Sequence, residues 1–312
     1  RAVGDSKTAL IFLVMAALLN VGLDLLFILV LKSGVAGAAY ATILSQGLSA
    51  VACVIFTFKK YPVLRFNRRH LKPHGATMQK ELWLGLPMGL QLSILSIGLL
   101  FVQAALNTLG TPYMAAFTAS GRIDALSTQV FAAVGSALAV YVGQNYGAAR
   151  LDRISAGVKA AVIMSAAVSV FLGGLQILLG RSITMLVVGA GKEQLYDLSQ
   201  TFLTINASLY FSLVLLVLFR NALQGMNRSP LTLIGGAIEL GSRTAFSILF
   251  MHVLEGDSRY IGICFCAGIT WVITAIFLTI AYLIVIRKLK RSAASAPPPH
   301  DGEPSPTQIT VA

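Results

Sequence analysis

Apolar residues in this chain run in blocks of twenty or more, separated by short segments of glycine, proline and charge. From residue 9 to residue 31 Asp24 is the one charge, residues 35 to 58 carry none, and Lys32-Ser33-Gly34 joins the two blocks. Segments of this length cross a hydrocarbon core of about 30 Å as helices, so the first two blocks predict a transmembrane hairpin. The same punctuation predicts eight spans, at about 9–31, 35–58, 82–109, 114–142, 156–179, 200–223, 231–253 and 260–286.

The hairpin carries the first chemical signal. A carboxylate within a membrane span is costly to keep there, so Asp24 is a functional candidate. Asn20 is one helical turn from Asp24 and shares its face. Thr42 lies seven residues past Val35 as Asp24 lies seven before Leu31, so a tight turn at 32–34 brings both to one depth, roughly 10 Å in. A carboxylate, an amide oxygen and a hydroxyl at one level form an all-oxygen set suited to a hard monovalent cation or a titrating proton. The alternative is that Asn20 and Thr42 only hydrogen-bond a buried acid.

The pattern Asn20-x-x-x-Asp24, followed by Gly37-Ala-Ala-Tyr-Ala-Thr42, resembles helices 5 and 6 of the multidrug and toxic compound extrusion (MATE) family of cation-coupled antiporters. Val142-Gly-Gln-Asn-Tyr-Gly-Ala-Ala-Arg150 resembles the family's segment leaving helix 8, and Arg220-Asn-Ala-Leu-Gln-Gly225 with Ser229-Pro230 resembles the end of helix 10. The resemblance covers about residues 8–291. Its nearest type is the DinF-like bacterial one, where the positions matching Asn20, Asp24 and Thr42 form the sodium or proton site of the first lobe. An aspartate on helix 1 completes that site in the family. Arg1–Lys7 reads as a loop entered from an earlier helix, so the first helices are expected to precede this chain.

Composition supports the membrane reading: 56% of residues are hydrophobic, 12% are charged, and mean hydropathy is +0.78. This is an all-α polytopic membrane protein in expectation. A net charge of +12 would suggest nucleic acid in a soluble chain. Here most basic residues sit in short loops on alternate sides of the spans, so they report topology and no nucleic-acid partner is implied. Cys53, Cys264 and Cys266 lie in apolar spans without metal-ligand spacing and read as packing residues. No signal peptide is visible.

The organisation follows from these elements. Residues 1–58 are expected to hold the last two helices of an N-terminal lobe, 59–81 a basic cytoplasmic linker, 82–291 a complete six-helix lobe and 292–312 a disordered, proline-rich tail. In the linker, Lys59, Lys60, Arg65, Arg68, Arg69, Lys72 and Lys80 interleave with Tyr61, Leu64, Phe66 and Leu71, a pattern that lies along anionic headgroups. The positive-inside rule then puts the linker and the C-terminus in the cytoplasm and the Lys32 turn outside. Asn20-x-x-x-Asp24 and Glu239-x-x-x-Arg243 occupy corresponding places near the end of each lobe, which suggests a repeat.

Several polar residues interrupt the later spans. Glu239 and Arg243 are one turn apart and form an ion pair within the helix, unless Glu239 faces a cavity and attracts cations. Arg122 and Asp124, two residues apart, need partners elsewhere. Gln91, Gln103, Asn107, Asn206 and Tyr210 either line a wet cleft or make interhelical hydrogen bonds. Gln91, Arg122, Asp124, Asn206, Tyr210, Glu239 and Arg243 are therefore the candidate substrate-cavity residues, with Met88, Met114, Phe117 and Phe131 as soft apolar candidates. Pro87 is expected to kink or end the first turn of the third span. NorM-type relatives carry acids on helices 7 and 10, and the corresponding spans here have none, which returns the coupling role to Asp24.

The resemblance implies a secondary transporter, monomeric at full length, in the bacterial inner membrane. It would export amphipathic or cationic organic compounds in two facing six-helix bundles, without an organic cofactor, in exchange for Na+ or H+. A lipid-linked oligosaccharide or lipid II flippase of the same superfamily is the alternative function, and an inactive fragment is another. No protease, aspartyl or Ser/His constellation is present in the sequence, so no enzyme is expected.

Overall fold

A computed structural model describes residues 5–62, 75–189 and 191–295. The linker residues Leu64, Arg65, Phe66, Arg68, Arg69, Leu71 and Lys72, and the tail from residue 296, lie outside the described residues. Every regular element described is helical, and the chain divides into two compact units, residues 1–78 and 79–312.

The first unit is the expected hairpin. Helix α1 (Ser6–Leu25) continues into a π-helical turn (Leu26–Val30), and α2 (Gly34–Lys60) returns. Lys32 and Gly34 take positive φ values of 49° and 56°, which lets the chain reverse within the short Lys32-Ser33-Gly34 connection. Gly37, Ala41 and Ser45 form the buried stripe of α2, at a spacing of one turn. Small side chains there let two helices approach without a large apolar driving force, as they must in lipid. Ser49 donates to the Phe12 carbonyl at 3.3 Å, and Phe12 meets Phe56 edge to face at 5.5 Å.

The open end of the hairpin is closed by a residue that read only as loop. Asp5 caps α1, accepting from the Thr8 amide at 3.0 Å, and also accepts from Lys60 at 2.7 Å and from the Tyr61 hydroxyl. Lys60 thus belongs to α2 and its ion pair, not to a free headgroup-binding linker.

The second unit contains α3 (Gly75–Asn107, apart from its first turn), α4 (Thr111–Gly147), α5 (Leu151–Val188), α6 (Glu193–Ser208), α7 (Tyr210–Gly225), α8 (Ser229–Val253) and α9 (Gly256–Ala294). Helix α3 begins seven residues before the expected start at 82, and Pro87 lies inside it rather than at its first turn. Helix α9 runs to Ala294, past the expected start of the tail at 292. Among the described residues seven helices are long and apolar enough to cross a membrane, or eight if the bent pair α6–α7 counts as one span. The sixth span, expected as one helix over 200–223, is this pair, bent by 52°.

The bend has a local cause. The Ser208 hydroxyl donates to the Thr204 carbonyl at 2.7 Å, a competition with the helix ladder that bends helices. The Leu209 and Ser212 amides then bond three residues back, at 3.0 Å each, which tightens the turn. Packing accommodates the displaced Leu209: a Cβ on Gly268 of α9 would lie 2.1 Å from its Cδ1.

Helices α4, α5, α7 and α9 share a core around Phe131, Ile154, Tyr210, Leu223, Met226 and Leu278. A second cluster, around Leu106, Ile123, Leu203 and Ile263, joins α3, α4, α6 and α9. Outward positions stay apolar, as on α5, where Val170, Phe171, Leu178 and Leu186 are exposed. A polytopic helical protein requires this, because lipid is the solvent at those positions.

Candidate functional site

In the first unit, helix geometry sets Asn20 and Asp24 on one face of α1, and the short turn brings α2 alongside. The Asn20 amide donates to the Thr42 hydroxyl at 3.5 Å, across the hairpin. Thr42 in turn donates to the Ala38 carbonyl at 2.9 Å, so its oxygen lone pairs remain directed away from its own helix. Asp24 is half-buried, and its Oδ1 has no hydrogen-bond partner among the described residues. The structure therefore joins Asn20 to Thr42 but does not use either to satisfy Asp24. The π-helical turn starts two residues after Asp24; such turns break the regular bonding of a helix and occur often at functional sites.

In the second unit the candidate residues sort into two groups. Glu239 is paired with Arg243 at 3.2 Å, as the spacing predicts, and also with Arg220 of α7 at 2.6 Å. All three are largely buried, and the Nε atoms of both arginines lack partners among the described residues. Two guanidinium groups against one carboxylate leave an excess positive charge. Glu239 therefore does not stand free to attract a cation. Gln91, buried on α3, accepts from Gln224 at 3.4 Å and packs on Gly236 of α8.

The other group surrounds the Tyr210 hydroxyl. It lies 2.6 Å from Asp124 Oδ1 on α4 and 2.7 Å from Gln176 Oε1 on α5, and Gln176 Nε2 donates to Ser127 at 2.8 Å. Asp124 thus finds its partner on another helix, while Arg122 is exposed. Asn206 is buried at the end of α6, its Oδ1 without a partner among the described residues. Gln103 donates to Asn107 at 3.0 Å on an exposed face. Phe131 is core, stacked edge to face on Tyr210, and Phe117 packs likewise on Phe202. Met114 also packs against the core, and Met88 is exposed.

Arg220, Gln176, Ser127 and Gln224 were missed in the sequence. Arg220 and Gln224 stand in the segment whose resemblance to the end of helix 10 marks a helix end and no side-chain role. Gln176 is the one amide side chain in the apolar run of α5, the one signal that could have singled it out.

A MatE family model matches residues 87–249. The chain is 36% identical over 154 residues to "Probable multidrug resistance protein YpnP" of Bacillus subtilis (strain 168), covering 49% of this chain and 34% of that protein. It is 24% identical over 186 residues to "Multidrug export protein MepA" of Staphylococcus haemolyticus (strain JCSC1435), covering 60% and 41%. The fold is similar to a solved structure described as "Crystal structure of MATE in complex with MaL6", with a TM-score of 0.85 at 22% identity over 92% of this chain and 64% of that one. A structure described as "Reverse polarity of binding pocket suggests different function of a MOP superfamily transporter from Pyrococcus furiosus Vc1 (DSM3638)" is similar to the same degree, at a TM-score of 0.85 and 22% identity, over 92% of this chain and 64% of that one. The chain spans well under half the length of these two curated relatives and about two thirds of these solved ones.

Proposed function

The chain belongs to the MatE family, and from that premise we propose that it forms part of a secondary transporter exporting amphipathic or cationic organic compounds against an inward flow of H+ or Na+. The relatives' names as multidrug resistance and export proteins support the substrate class. The observation that supports the coupling site is the Asp24 Oδ1, without a hydrogen-bond partner among the described residues, beside the Asn20–Thr42 contact. Cation binding there neutralises a charge held in an apolar hairpin. The bound and empty states then differ in the packing they favour, and that bias lets an ion gradient drive substrate movement. The membrane is the bacterial inner one, with the C-terminus in the cytoplasm, as the loop charges suggest.

A second reading has one observation behind it. The Arg220–Glu239–Arg243 group carries more positive than negative charge, which favours an anionic headgroup such as a lipid pyrophosphate. Dye efflux from cells expressing the full-length protein, with and without a lipid pyrophosphate competitor, separates the two. Efflux of a cationic dye that the competitor leaves unchanged is expected for the drug exporter. Absence of dye efflux, with tight binding of the competitor, would replace it by the flippase.

A further inference from the structure

The Tyr210 hydroxyl has one hydrogen and two acceptors: Asp124 Oδ1 at 2.6 Å and Gln176 Oε1 at 2.7 Å. The Gln176 amide donates to Ser127, which turns its oxygen toward Tyr210. In this arrangement Tyr210 gives its hydrogen to Gln176, and the contact with Asp124 closes only if the carboxyl carries a proton to donate. With Asp124 ionised, each bond must run the other way. Tyr210 then donates to the carboxylate, the Gln176 amide turns over to donate to Tyr210, and the Ser127 hydroxyl donates to the amide oxygen. One proton, taken from water onto a carboxylate oxygen, therefore sets the direction of three hydrogen bonds linking α4, α5 and α7.

The chain ends at a hinge. Tyr210 is the first residue of α7, directly after Leu209, where α6 and α7 bend by 52°. The bend is tightly enclosed: Leu209 fills the notch at Gly268 of α9, and a Cβ on Gly173 of α5 would lie 3.1 Å from the Ala207 carbonyl. A change of bonding at Tyr210 cannot be absorbed by empty space, because packed interiors shift between discrete arrangements.

The surroundings leave Asp124 to titrate without a charged partner. On α5, Arg181 pairs with Glu193 and Asp197 of α6, and Asp152, Arg153 and Lys159 lie near the helix start. Tyr196 of α6 donates to the Gly189 carbonyl, and Arg220 of α7 is held by Glu239. On α4, Arg122 is exposed, Tyr113 donates to Asp257, Tyr141 donates to the Arg153 carbonyl, and Tyr146 packs on the core. Among the described residues no ion pair includes Asp124.

We propose that Asp124 is a proton-binding site of the second unit, and that its protonation biases the bend between α6 and α7 by reversing the hydrogen-bond chain through Tyr210, Gln176 and Ser127. The site is separate from Asp24 and does not depend on the transport reading.

The test uses the 312-residue chain in lipid nanodiscs. Infrared difference spectra between about pH 9 and about pH 4 read carboxyl protonation. Spin labels at the exposed positions Gln194 and Arg228, in a chain whose native cysteines are replaced by alanine, read the bend. A protonated-carboxyl band present in wild type and in Asp24→Asn but absent in Asp124→Asn is expected, together with a label distance that follows the same titration. Asp124→Asn should hold the low-pH distance at every pH, because its amide donates to Tyr210 as the protonated acid does. Tyr210→Phe should keep the band and uncouple the distance from pH. A spectrum without an Asp124-dependent band, or a distance indifferent to pH in wild type, overturns the proposal. A distance that still follows pH in Tyr210→Phe overturns the relay.

Discussion

Arg220 on α7 holds Glu239 on α8 at 2.6 Å, and Arg243 reaches the same carboxylate from one turn away at 3.2 Å. The carboxylate is the neutralising centre for two buried cations, so its loss is costlier than the loss of either arginine. Glu239→Gln should cost about 3–5 kcal/mol, the usual penalty for leaving buried charge unpaired. Arg220→Leu leaves a neutral pair and should cost clearly less. Thermal unfolding in detergent measures both, and equal losses would contradict this ordering.

Leu209 and Gly268 form a lock at the bend, since a methyl group on Gly268 would lie 2.1 Å from Leu209 Cδ1. Gly268→Ala should destabilise by about 1–3 kcal/mol, the range for overpacking a closed interior. Leu209→Ala in the same chain should recover most of that loss, because it removes the colliding atoms. A double variant no better than the single one would mean that the glycine serves something other than Leu209.

Asp5 gives the first unit a pH dependence of known sign. The hydrogen bonds from Lys60 and Tyr61, and from Thr8, hold its carboxyl well below the usual range. The Tyr61 hydroxyl is pushed up by its bond to Asp5 and by burial. A depressed folded-state value means that the stabilisation is complete above the unfolded value, about 3.9, and is lost as pH falls from there through the folded value. The advantage of wild type over Asp5→Asn in thermal unfolding should be constant from neutral pH to about pH 4 and shrink below it. An advantage that grows on acidification would reverse the assignment.

The spans were legible because lipid imposes a crude rule, long apolar runs without charge, and seven of the eight were placed by it as single helices. The eighth was not, because a serine bonding back to its own helix at Ser208 is indistinguishable by composition from one in a straight helix, and the notch at Gly268 of α9 that receives Leu209 lies far along the chain. Local spacing carried the Glu239–Arg243 pair, which lies within one helix, whereas turn arithmetic set Thr42 level with Asp24 and the hydrogen bond across the hairpin runs from Asn20, one turn away. Arg220 and Gln176 join their partners from other helices, and no periodicity along one helix encodes which faces meet. The cap at Asp5 was written in the sequence as Asp5-x-x-Thr8, but its ion pair with Lys60 spans the whole hairpin.

Coupling at Asp24 is decided by cation-driven efflux of a dye by the full-length protein in proteoliposomes, comparing wild type with Asp24→Asn. Asp24→Asn should insert and unfold as wild type does but lose efflux in response to both a proton and a sodium gradient. Undiminished gradient-driven efflux from Asp24→Asn would contradict it.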